Sequence, residues 1–449
     1  MRRNAKLMAK IIGGIVAIVY ISLLIFGLQG FLIQPRLEIH LNTAFFAVSV
    51  PPSLIETRQS QQSSVDQNDQ IKMEIPRPPK KILLWTGYYT YNNWEHYLYQ
   101  ALGNQSSITV GNNHSCVFTS ERSLDTVKNA SVVVFHGRNF DPEDQPPVRY
   151  GWQRWIFYNM ESPVHVAMDS YQMMFARFSM AFNWTMGYQR NSNVYTPYGL
   201  ITKKQTPMTK VEGRNIARKI HGFLEGLNRR AVDAVWIVSH CDTQSMREEY
   251  IDMLALYGIT VEVWGRCATT ARLEPNEQWK SPEHVGQFFR RYRFYLAFEN
   301  SLCSDYVSEK AFAAYYNNFN YGLIPIVFGS ANYSQHLPSN SYIDASNMKP
   351  EQLANLMNDI KRTDFKNRTK LIKYYQWQYQ YELQYEIDPE NHYFARDYGL
   401  NQGWKTLCSK LWQEETEEEG QMKEKVSNFT QKIDLDSALG TCYEPQKFV

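Results

Sequence analysis

Residues 298–310 contain the densest group of polar side chains that could bind an anion. An apolar run ends at Phe298, a polar loop follows, and a helix is expected to begin with Glu309 and Lys310 in its first turn. Backbone N–H groups and the positive dipole end at such a terminus favour phosphate. Capping by Ser308 is the simpler alternative. A lysine has the wrong charge for a first turn, so the pattern favours an anion site in which Lys310 binds phosphate and Glu309 accepts from ribose or sugar hydroxyls.

A second candidate is Glu161, which closely follows the apolar run at residues 155–158. A carboxylate just beyond the carboxyl end of a strand lies where α/β proteins usually place their sites. It could act as a general base on a hydroxyl. The alternatives are a surface glutamate or a capping partner. His136, at the end of residues 132–135, is a rival base, although a structural histidine is the simpler interpretation.

The third candidate is Arg247, in a helix expected after the first strand of a second series. Its guanidinium could face a diphosphate as a planar fork of donors, and an ordinary exposed arginine is the alternative. Cys241 and Cys267 follow consecutive strands that should be parallel neighbours. Their loops should therefore leave the same sheet edge, which predicts a disulfide between them.

The elements that must position these residues alternate between short apolar runs and helical periodicity, which indicates an α/β fold. A right-handed parallel sheet should result, with its ligand at the carboxyl ends of the strands. Residues 203–215 are expected to be a linker, and the aromatic tract at residues 373–381 a packing helix. The expected strands cover residues 82–85, 131–135, 155–158, 234–238, 259–263, 294–298 and 324–328, and the expected helices residues 246–256 and 308–317.

The amino terminus predicts a membrane anchor. Residues 11–33 contain no charged side chain and, as a helix, would be about 34 Å long, enough for a hydrocarbon core of about 30 Å. Basic residues precede this run, so the positive-inside rule places the rest of the chain in the lumen. A cleaved signal peptide is the alternative, but the run is long and lacks an evident cleavage site. Residues 51–79 are rich in Ser, Gln and Pro and indicate a flexible stem.

The remaining sequence agrees with a lumenal protein. Six cysteines all follow the anchor and could pair in an oxidising compartment. The sequence also offers N-x-S/T acceptors for glycosylation, and the candidates are Asn104, Asn113, Asn129, Asn332, Asn367 and Asn428; Asn183 begins a further tripeptide of this kind.

Composition and missing motifs exclude several function classes. The 47 Lys and Arg residues nearly balance the 45 Asp and Glu residues, so the chain lacks the basic excess of a nucleic-acid binder. No metal-ligating Cys/His spacing occurs. The D-x-D pattern at residues 434–436 lies far from any nucleotide-binding strand, which disfavours a transferase that holds its donor through such a motif and a metal ion.

At the residues described above, the sequence resembles the α1,3-fucosyltransferase family. Residues 294–301 and 305–310 resemble its long signature, and residues 159–163 its Glu-Ser-Pro element. Residues 183–186 and 195–199 resemble the mid-chain element, while residues 238–241 with Arg247 resemble the start of the donor domain. The resemblance runs from about residue 82 to residue 412, and the anchor and stem also fit Golgi glycosyltransferases.

This resemblance implies a GT-B fold, in which two Rossmann-like domains face a cleft. The expected organisation is a cytoplasmic tail at 1–10, an anchor at 11–33, a stem at 34–80, an acceptor-side domain at 81–205, a GDP-fucose-binding domain at 206–395 and a carboxyl-terminal extension at 396–449. The protein would be a single-pass type II Golgi membrane protein with a lumenal catalytic domain.

The resemblance also implies residue roles. Glu161 would be the general base of an inverting fucosyltransferase that moves L-fucose from GDP-β-L-fucose to a GlcNAc 3-hydroxyl. No metal would be required, and manganese stimulation stays open. The implied donor contacts are Ser239, Arg247, Tyr295, Asn300, Tyr306, Glu309, Lys310 and, more weakly, Tyr198.

Two departures from the family pattern concern pairing and acceptor choice. Cys408 stands alone where relatives often carry C-x-x-C, and residues 136–139 read His-Gly-Arg-Asn rather than His-His-Arg-Asp. The acceptor therefore stays open between N-glycan core GlcNAc and N-acetyllactosamine. The alternatives in function are another GT-B nucleotide-sugar transferase and a non-catalytic lumenal glycan-binding protein.

Overall fold

The computed structural model describes residues 77–111, 114–166, 181–268, 282–363, 365–384, 398–420 and 440–445. All of them belong to one compact unit, Glu74–Val449. The expected anchor at residues 11–33 and most of the expected stem lie outside these residues. Within the described ranges, no helix combines the length and apolarity needed to cross a bilayer.

The strands, numbered in chain order, are β1 Lys80–Leu84, β2 Ser107–Val110, β3 His114–Thr119, β4 Val132–His136, β5 Arg154–Asn159, β6 Trp184–Gly187, β7 Val194–Tyr195, β8 Leu200–Lys203, β9 Val232–Ile237, β10 Val261–Trp264, β11 Tyr292–Phe298, β12 Ile324–Phe328, β13 Ile343–Asp344 and β14 Tyr381–Gln384. The helices are α1 Trp94–Ala101, α2 Leu124–Asn129, α3 Pro163–Val166, α4 Lys210–Gly226, α5 Arg247–Leu256, α6 Pro282–Phe289, α7 Glu309–Tyr321, α8 Pro350–Arg362 and α9 Tyr398–Gly420.

The first sheet has seven described strands in the order β2-β3-β1-β4-β5-β6-β7. Only the β2–β3 pair is antiparallel. Central strands such as β4 are buried on both faces, as parallel strands covered by helices should be. The late helix α9 returns to this sheet, because Trp404 and Leu407 are buried in the same core as Ile82 and Ile156. Within the predicted carboxyl-terminal extension, α9 therefore packs against the first sheet.

The second sheet has the strand order β10-β9-β11-β12-β13 and is parallel throughout its described pairs. All seven predicted strands are found, with ends that differ from the prediction by at most two residues. Both predicted helices are also found as α5 and α7. Strand order reverses direction between β9 and β11, so the carboxyl edge there is the usual position for a ligand.

Two sequence expectations were wrong. Residues 203–215 do not form a linker throughout, since α4 begins at Lys210 with a capping box between Thr209 and Glu212. The T-x-x-E pattern of that box is a helix-start signal. The aromatic tract at residues 373–381 does not form one packing helix. It forms parts of two 3₁₀ segments, Phe365–Tyr374 and Gln376–Tyr379, followed by β14. Three of its rings are nevertheless buried, those of Tyr374, Tyr375 and Trp377.

Three disulfides join the six cysteines. The predicted bond between Cys241 and Cys267 is confirmed, because β9 and β10 are parallel neighbours. Cys116 pairs with Cys408 and fixes α9 to β3. Cys303 pairs with Cys442 and fixes residues 440–445 beside the loop that follows β11.

Candidate active site

Side chains from both sheets line one cavity of about 390 Å³, called here the Glu161 cavity. Its lining comes from the segments that follow β1, β5, β7, β9 and β11. Its lining consists of Tyr88, Tyr89, Tyr91, Tyr97, Met160, Glu161, Tyr198, His240, Asn300, Tyr306, Glu309 and Lys310. The structure thus brings together Glu161 and five of the eight predicted donor contacts.

Glu161 lies two residues beyond the end of β5 and is held there by Asn159. The Asn159 side chain accepts from the Glu161 backbone N–H at 3.2 Å and donates to the Glu161 carbonyl at 2.6 Å. The hydroxyl of Tyr89 donates to the Glu161 carboxylate at 3.1 Å. Both the backbone and the carboxylate of Glu161 are therefore positioned, while the residue stays partly exposed to the cavity.

Lys310 lines the cavity from the side of the second sheet, and it is bound within a polar cluster at the start of α7. Its Nζ lies 2.9 Å from a Glu309 oxygen and 3.4 Å from a Glu299 oxygen, and it donates to Ser308 Oγ at 2.8 Å. Glu299 is fully buried and accepts from both the backbone N–H and the hydroxyl of Ser308. Ser308 is also the N-cap of α7, as the capping interpretation expected.

Burial and mutual charge set the ionisation of this cluster. Burial lowers the pKa of Lys310, but Glu309 and Glu299 more than offset it, so the net pKa is raised. Burial raises the pKa of Glu299 despite the nearby Lys310. For Glu309, burial acts to raise the pKa, and the Lys310 charge reverses the net direction to a lowered pKa. The cavity wall at α7 therefore carries a firmly charged ammonium group.

The loop between β11 and α7 contributes two further lining residues. Asn300 is buried and follows Glu299, and its carbonyl accepts from the Ser245 backbone. The ring of Tyr306 lies 6.4 Å from that of Tyr198, centroid to centroid. The Tyr198 hydroxyl donates to the carbonyl of Met160, next to Glu161. These contacts join the lining of the two sheets.

The other three predicted donor contacts lie outside the cavity lining. The Arg247 side chain is buried and donates to the carbonyls of Phe298 at 2.6 Å and His240 at 3.0 Å. Tyr295 is buried within β11, and burial raises its pKa. Ser239 is exposed, and its carbonyl accepts from Arg266. Their roles toward a donor stay predictions.

The structure adds residues that sequence reasoning did not select. His240 lines the cavity, and its ring centroid lies 6.1 Å from that of His165. Burial lowers the pKa of both histidines, although the Glu161 charge opposes this. Glu299 could have been selected by the same signal as Glu161, since it directly follows a predicted strand. The four lining tyrosines between residues 88 and 97 had no evident local signal.

His136, the rival base, is fully buried. Its ring Nδ1 lies 2.6 Å from Asn139 Oδ1. Its pKa is lowered to about 4, chiefly by burial. The hydrogen bond with Asn139 acts to raise this pKa, and the Arg138 charge acts to lower it further. This histidine is neutral near pH 7 and lies behind the tyrosines, which fits the structural interpretation.

The described glycosylation candidates Asn104, Asn129, Asn332 and Asn367 are exposed. Asn113 and Asn428 lie outside the described residues. Asn183 is buried, and its side-chain oxygen accepts from Trp155 and Arg149. Within the described part of the chain, no group of three or more His, Cys, Asp or Glu side chains is placed to hold a metal ion.

Comparison with known proteins assigns the family. The model for glycosyltransferase family 10 (fucosyltransferase), C-terminal part, matches residues 227–429, and the model for the N-terminal part of fucosyltransferases matches residues 77–199. The chain belongs to this family. The resemblance seen in the sequence and the predicted enzyme class, a glycosyltransferase, are both confirmed.

Two individual relatives, from fly and human, agree with this assignment. Alpha-(1,3)-fucosyltransferase C of Drosophila melanogaster is 32% identical over 295 residues, which are 62% of this chain and 65% of the relative. The human 4-galactosyl-N-acetylglucosaminide 3-alpha-L-fucosyltransferase FUT6 is 30% identical over 308 residues, 66% of this chain and 72% of the relative. A crystal structure of an alpha1,3-fucosyltransferase with GDP-fucose is 14% identical with a TM-score of 0.42, covering 78% of this chain and 94% of that one.

Proposed function

We propose that this protein is an inverting α1,3-fucosyltransferase that moves L-fucose from GDP-β-L-fucose to the 3-hydroxyl of a GlcNAc in a glycoprotein or glycolipid glycan. The observation that carries the proposal is the shared cavity, in which Glu161 follows a strand of the first sheet and Lys310 begins a helix of the second. The names of the fly and human relatives support the same reaction.

The diphosphate of the donor binds at the start of α7. Lys310 supplies an ammonium group that Glu309 and Glu299 keep protonated by raising its pKa. The helix terminus adds its positive dipole end. Glu309, whose side chain is 43% exposed, accepts from donor hydroxyls. As GDP leaves, negative charge grows on the oxygen released from the sugar, and fixed positive groups stabilise it.

Glu161 acts as the base. The acceptor 3-hydroxyl attacks the anomeric carbon from the face opposite GDP. The new carbon–oxygen bond forms as the bond to the phosphate oxygen breaks, and the acceptor proton passes to Glu161. In-line attack requires the base on the side of the cavity facing the donor, and Glu161 meets this requirement because Lys310 belongs to the other wall. Inversion converts the β-linked fucose into an α-linkage.

Arg247 contributes from beneath the cavity. By donating to the carbonyls of His240 and Phe298, it fixes the loop after β9 to the end of β11. Its Nε also lies 3.2 Å from a Glu248 carboxylate oxygen, which offsets part of its charge, and the remainder adds to the positive potential near the diphosphate. With Lys310 and the helix terminus, these groups can balance the leaving diphosphate, so we propose that a metal ion is not required and that manganese at most stimulates turnover.

The proposal includes location and partners. The enzyme is a Golgi type II membrane protein with a lumenal catalytic domain, anchored by residues 11–33, and its acceptor is a glycan with a terminal or core GlcNAc. Protease treatment of intact microsomes tests the topology: the catalytic part should be protected. Its digestion from the cytosolic side would contradict the lumenal assignment.

The reaction is tested by incubating the full-length protein with GDP-fucose and an array of N-glycan core and N-acetyllactosamine acceptors. The expected product carries fucose in an α-linkage at the GlcNAc 3-position by NMR. Transfer from UDP-sugars or other GDP-sugars instead would favour a different transferase. Glycan binding without nucleotide binding would favour the non-catalytic alternative.

A further inference from the structure

A tight turn of tyrosines forms the wall of the Glu161 cavity beside the base. The backbones of Tyr88 and Tyr91 exchange two hydrogen bonds of 2.9 Å, which closes the turn. Tyr89, at its tip, has a φ of 51°, a left-handed conformation that is unusual for a bulky residue. A side chain at Gly87 would approach the Tyr91 carbonyl to 2.9 Å. The turn is therefore a constrained feature that depends on its surroundings.

Asn139 holds this unusual conformation. Its side-chain oxygen accepts from the Tyr89 N–H at 2.8 Å, and its side-chain nitrogen donates to the Tyr89 carbonyl at 2.8 Å. Only an amide can make both bonds, because an ionised aspartate has no donor. The turn is thus held by one side chain that lies 50 residues away along the chain.

The turn presents two chemical features to the cavity. The Tyr89 hydroxyl bonds the Glu161 carboxylate at 3.1 Å. Tyr91 is 52% exposed, and its ring lies 4.9 Å, centroid to centroid, from that of the half-buried Tyr97. Large rings with an exposed face suit the apolar face of a pyranose. They lie on the side of Glu161, whereas Lys310 and Glu309 form the wall assigned to the donor.

We propose that the turn Tyr88–Tyr91 is the acceptor-specificity element of this enzyme. A pyranose ring of the acceptor glycan stacks on Tyr91 and Tyr97, which brings the reactive hydroxyl to Glu161. Tyr89 is a positioning residue that orients the Glu161 carboxylate, and Asn139 holds the turn in its shape. This inference rests on the proposed function, since it names the wall that recognises the acceptor.

The first test is steady-state kinetics of the full-length Tyr91→Ala protein with GDP-fucose and a GlcNAc-terminated oligosaccharide. The acceptor KM should rise about five- to tenfold, and the GDP-fucose KM should stay within about twofold. Tyr91→Trp should retain low acceptor KM because it keeps a ring. Tyr99→Ala is the matched control, since Tyr99 is a 40% exposed tyrosine on α1 outside this cavity, and its kinetics should match wild type. An unchanged acceptor KM in Tyr91→Ala would overturn the proposal that the acceptor stacks on Tyr91.

Tyr89→Phe and Asn139→Asp separate the positioning roles. Tyr89→Phe keeps the ring and removes the bond to Glu161, so kcat should fall while the acceptor KM changes little. Asn139→Asp removes the donor to the Tyr89 carbonyl, so kcat should fall and the acceptor KM should rise, with the GDP-fucose KM unchanged. Equal effects of Asn139→Asp on both substrates would contradict a role confined to the acceptor.

Binding without turnover distinguishes this inference from the proposed function. Saturation-transfer NMR measures contact between the oligosaccharide and the protein in the absence of GDP-fucose. If wild type binds the glycan and Tyr91→Ala does not, the acceptor site at Tyr91 is supported even where fucose transfer fails. If fucose transfer succeeds and Tyr91→Ala binds and uses the acceptor like wild type, the proposed reaction is supported and the proposed acceptor site at Tyr91 is wrong.

Discussion

Ser162 and Ser301 share a hydrogen bond of 2.7 Å between their side-chain hydroxyls, and both residues are fully buried. Ser162 directly follows Glu161 in the loop after β5. Ser301 directly follows Asn300 in the loop after β11. This single contact therefore joins the segment that carries the base to the segment that carries the opposite wall, and it helps set the distance across the cavity.

A double-mutant cycle tests this link. Removing either hydroxyl breaks this bond, and Ser301 then keeps only a longer contact of 3.4 Å with Asn300 Oδ1. Removing both hydroxyls breaks no further bond between them, so Ser162→Ala and Ser301→Ala should be less than additive in stability. The expected coupling is about 0.5–1.5 kcal/mol, the usual net contribution of a hydrogen bond. Thermal or denaturant unfolding measures it. Strict additivity would show that the two hydroxyls act independently.

Lys310→Ala should weaken donor binding. The substitution removes a charge-assisted contact worth about 1.5–3 kcal/mol, or roughly 10–150-fold in the Kd for GDP. It also leaves the buried carboxyl group of Glu299 without its neighbouring ammonium. Calorimetric titration with GDP measures the loss. Lys203→Ala, an exposed lysine of β8, is the control and should bind GDP like wild type. Equal affinities for all three proteins would remove Lys310 from the phosphate site.

Arg247→Lys should be harmful in a different way. The guanidinium bridges the carbonyls of His240 and Phe298, and a single ammonium cannot reproduce a planar fork. We expect a lower melting temperature as well as weaker GDP binding, because a buried carbonyl loses its donor. A variant with wild-type stability and GDP affinity would argue against both the structural and the donor role.

His136 should make stability depend on pH. Its pKa is lowered to about 4 in the folded protein, chiefly by burial, against an ordinary value of 6.5. The unfolded chain therefore binds this proton more readily. The contribution of His136 is fully present above about pH 6.5 and is lost as pH falls toward 4, by at most about 1.4 kcal/mol per pH unit. Melting curves between pH 4.5 and 7.5 should show a weaker dependence for His136→Gln. Parallel curves for the two proteins would contradict the shift.

The disulfide between Cys303 and Cys442 should support the donor wall. Residues 440–445 bond the loop after β11 through Ser304 N–H to the Thr441 carbonyl and Tyr443 N–H to the Leu302 carbonyl. Replacing both cysteines by serine should cost about 2–4 kcal/mol of stability and raise the Kd for GDP. As a matched control, replacing Cys116 and Cys408 by serine should lower stability without raising the Kd for GDP. A higher Kd for GDP only in the Cys116/Cys408 variant would contradict the role of the Cys303–Cys442 bond at the donor wall.

Much of this architecture could be predicted because its signals are local. Buried parallel strands are continuous apolar runs, so β4, β5, β9, β11 and β12 were all expected close to their observed bounds. Neighbouring parallel strands also predicted the bond between Cys241 and Cys267. Glu161 was selected because it follows a strand, and Glu309 and Lys310 because they begin a helix that could bind an anion; the structure brings all three into one cavity.

What could not be predicted depends on contacts between distant segments. The return of α9 to the first sheet and the bond from Cys303 to Cys442 span long stretches of chain, and no local pattern specifies them. The tyrosine turn requires Asn139, 50 residues beyond Tyr89, to be recognised as its clamp. The burial of Arg247 also depends on two carbonyls from distant segments, the loop after β9 and the end of β11, so a helix position alone could not distinguish it from a cavity residue.

The central claim is that Glu161 is the base that deprotonates the acceptor hydroxyl, and single-turnover kinetics of Glu161→Gln test it most directly. Glutamine keeps the shape and the contact with Tyr89 but cannot accept the proton. We expect GDP-fucose to bind as in wild type while fucose transfer slows by about 10²–10⁴-fold, and Glu161→Asp to recover little, since a shorter side chain retracts the carboxylate from a geometry sensitive to about 1 Å. Near-normal transfer by the Gln variant would contradict the assignment of Glu161.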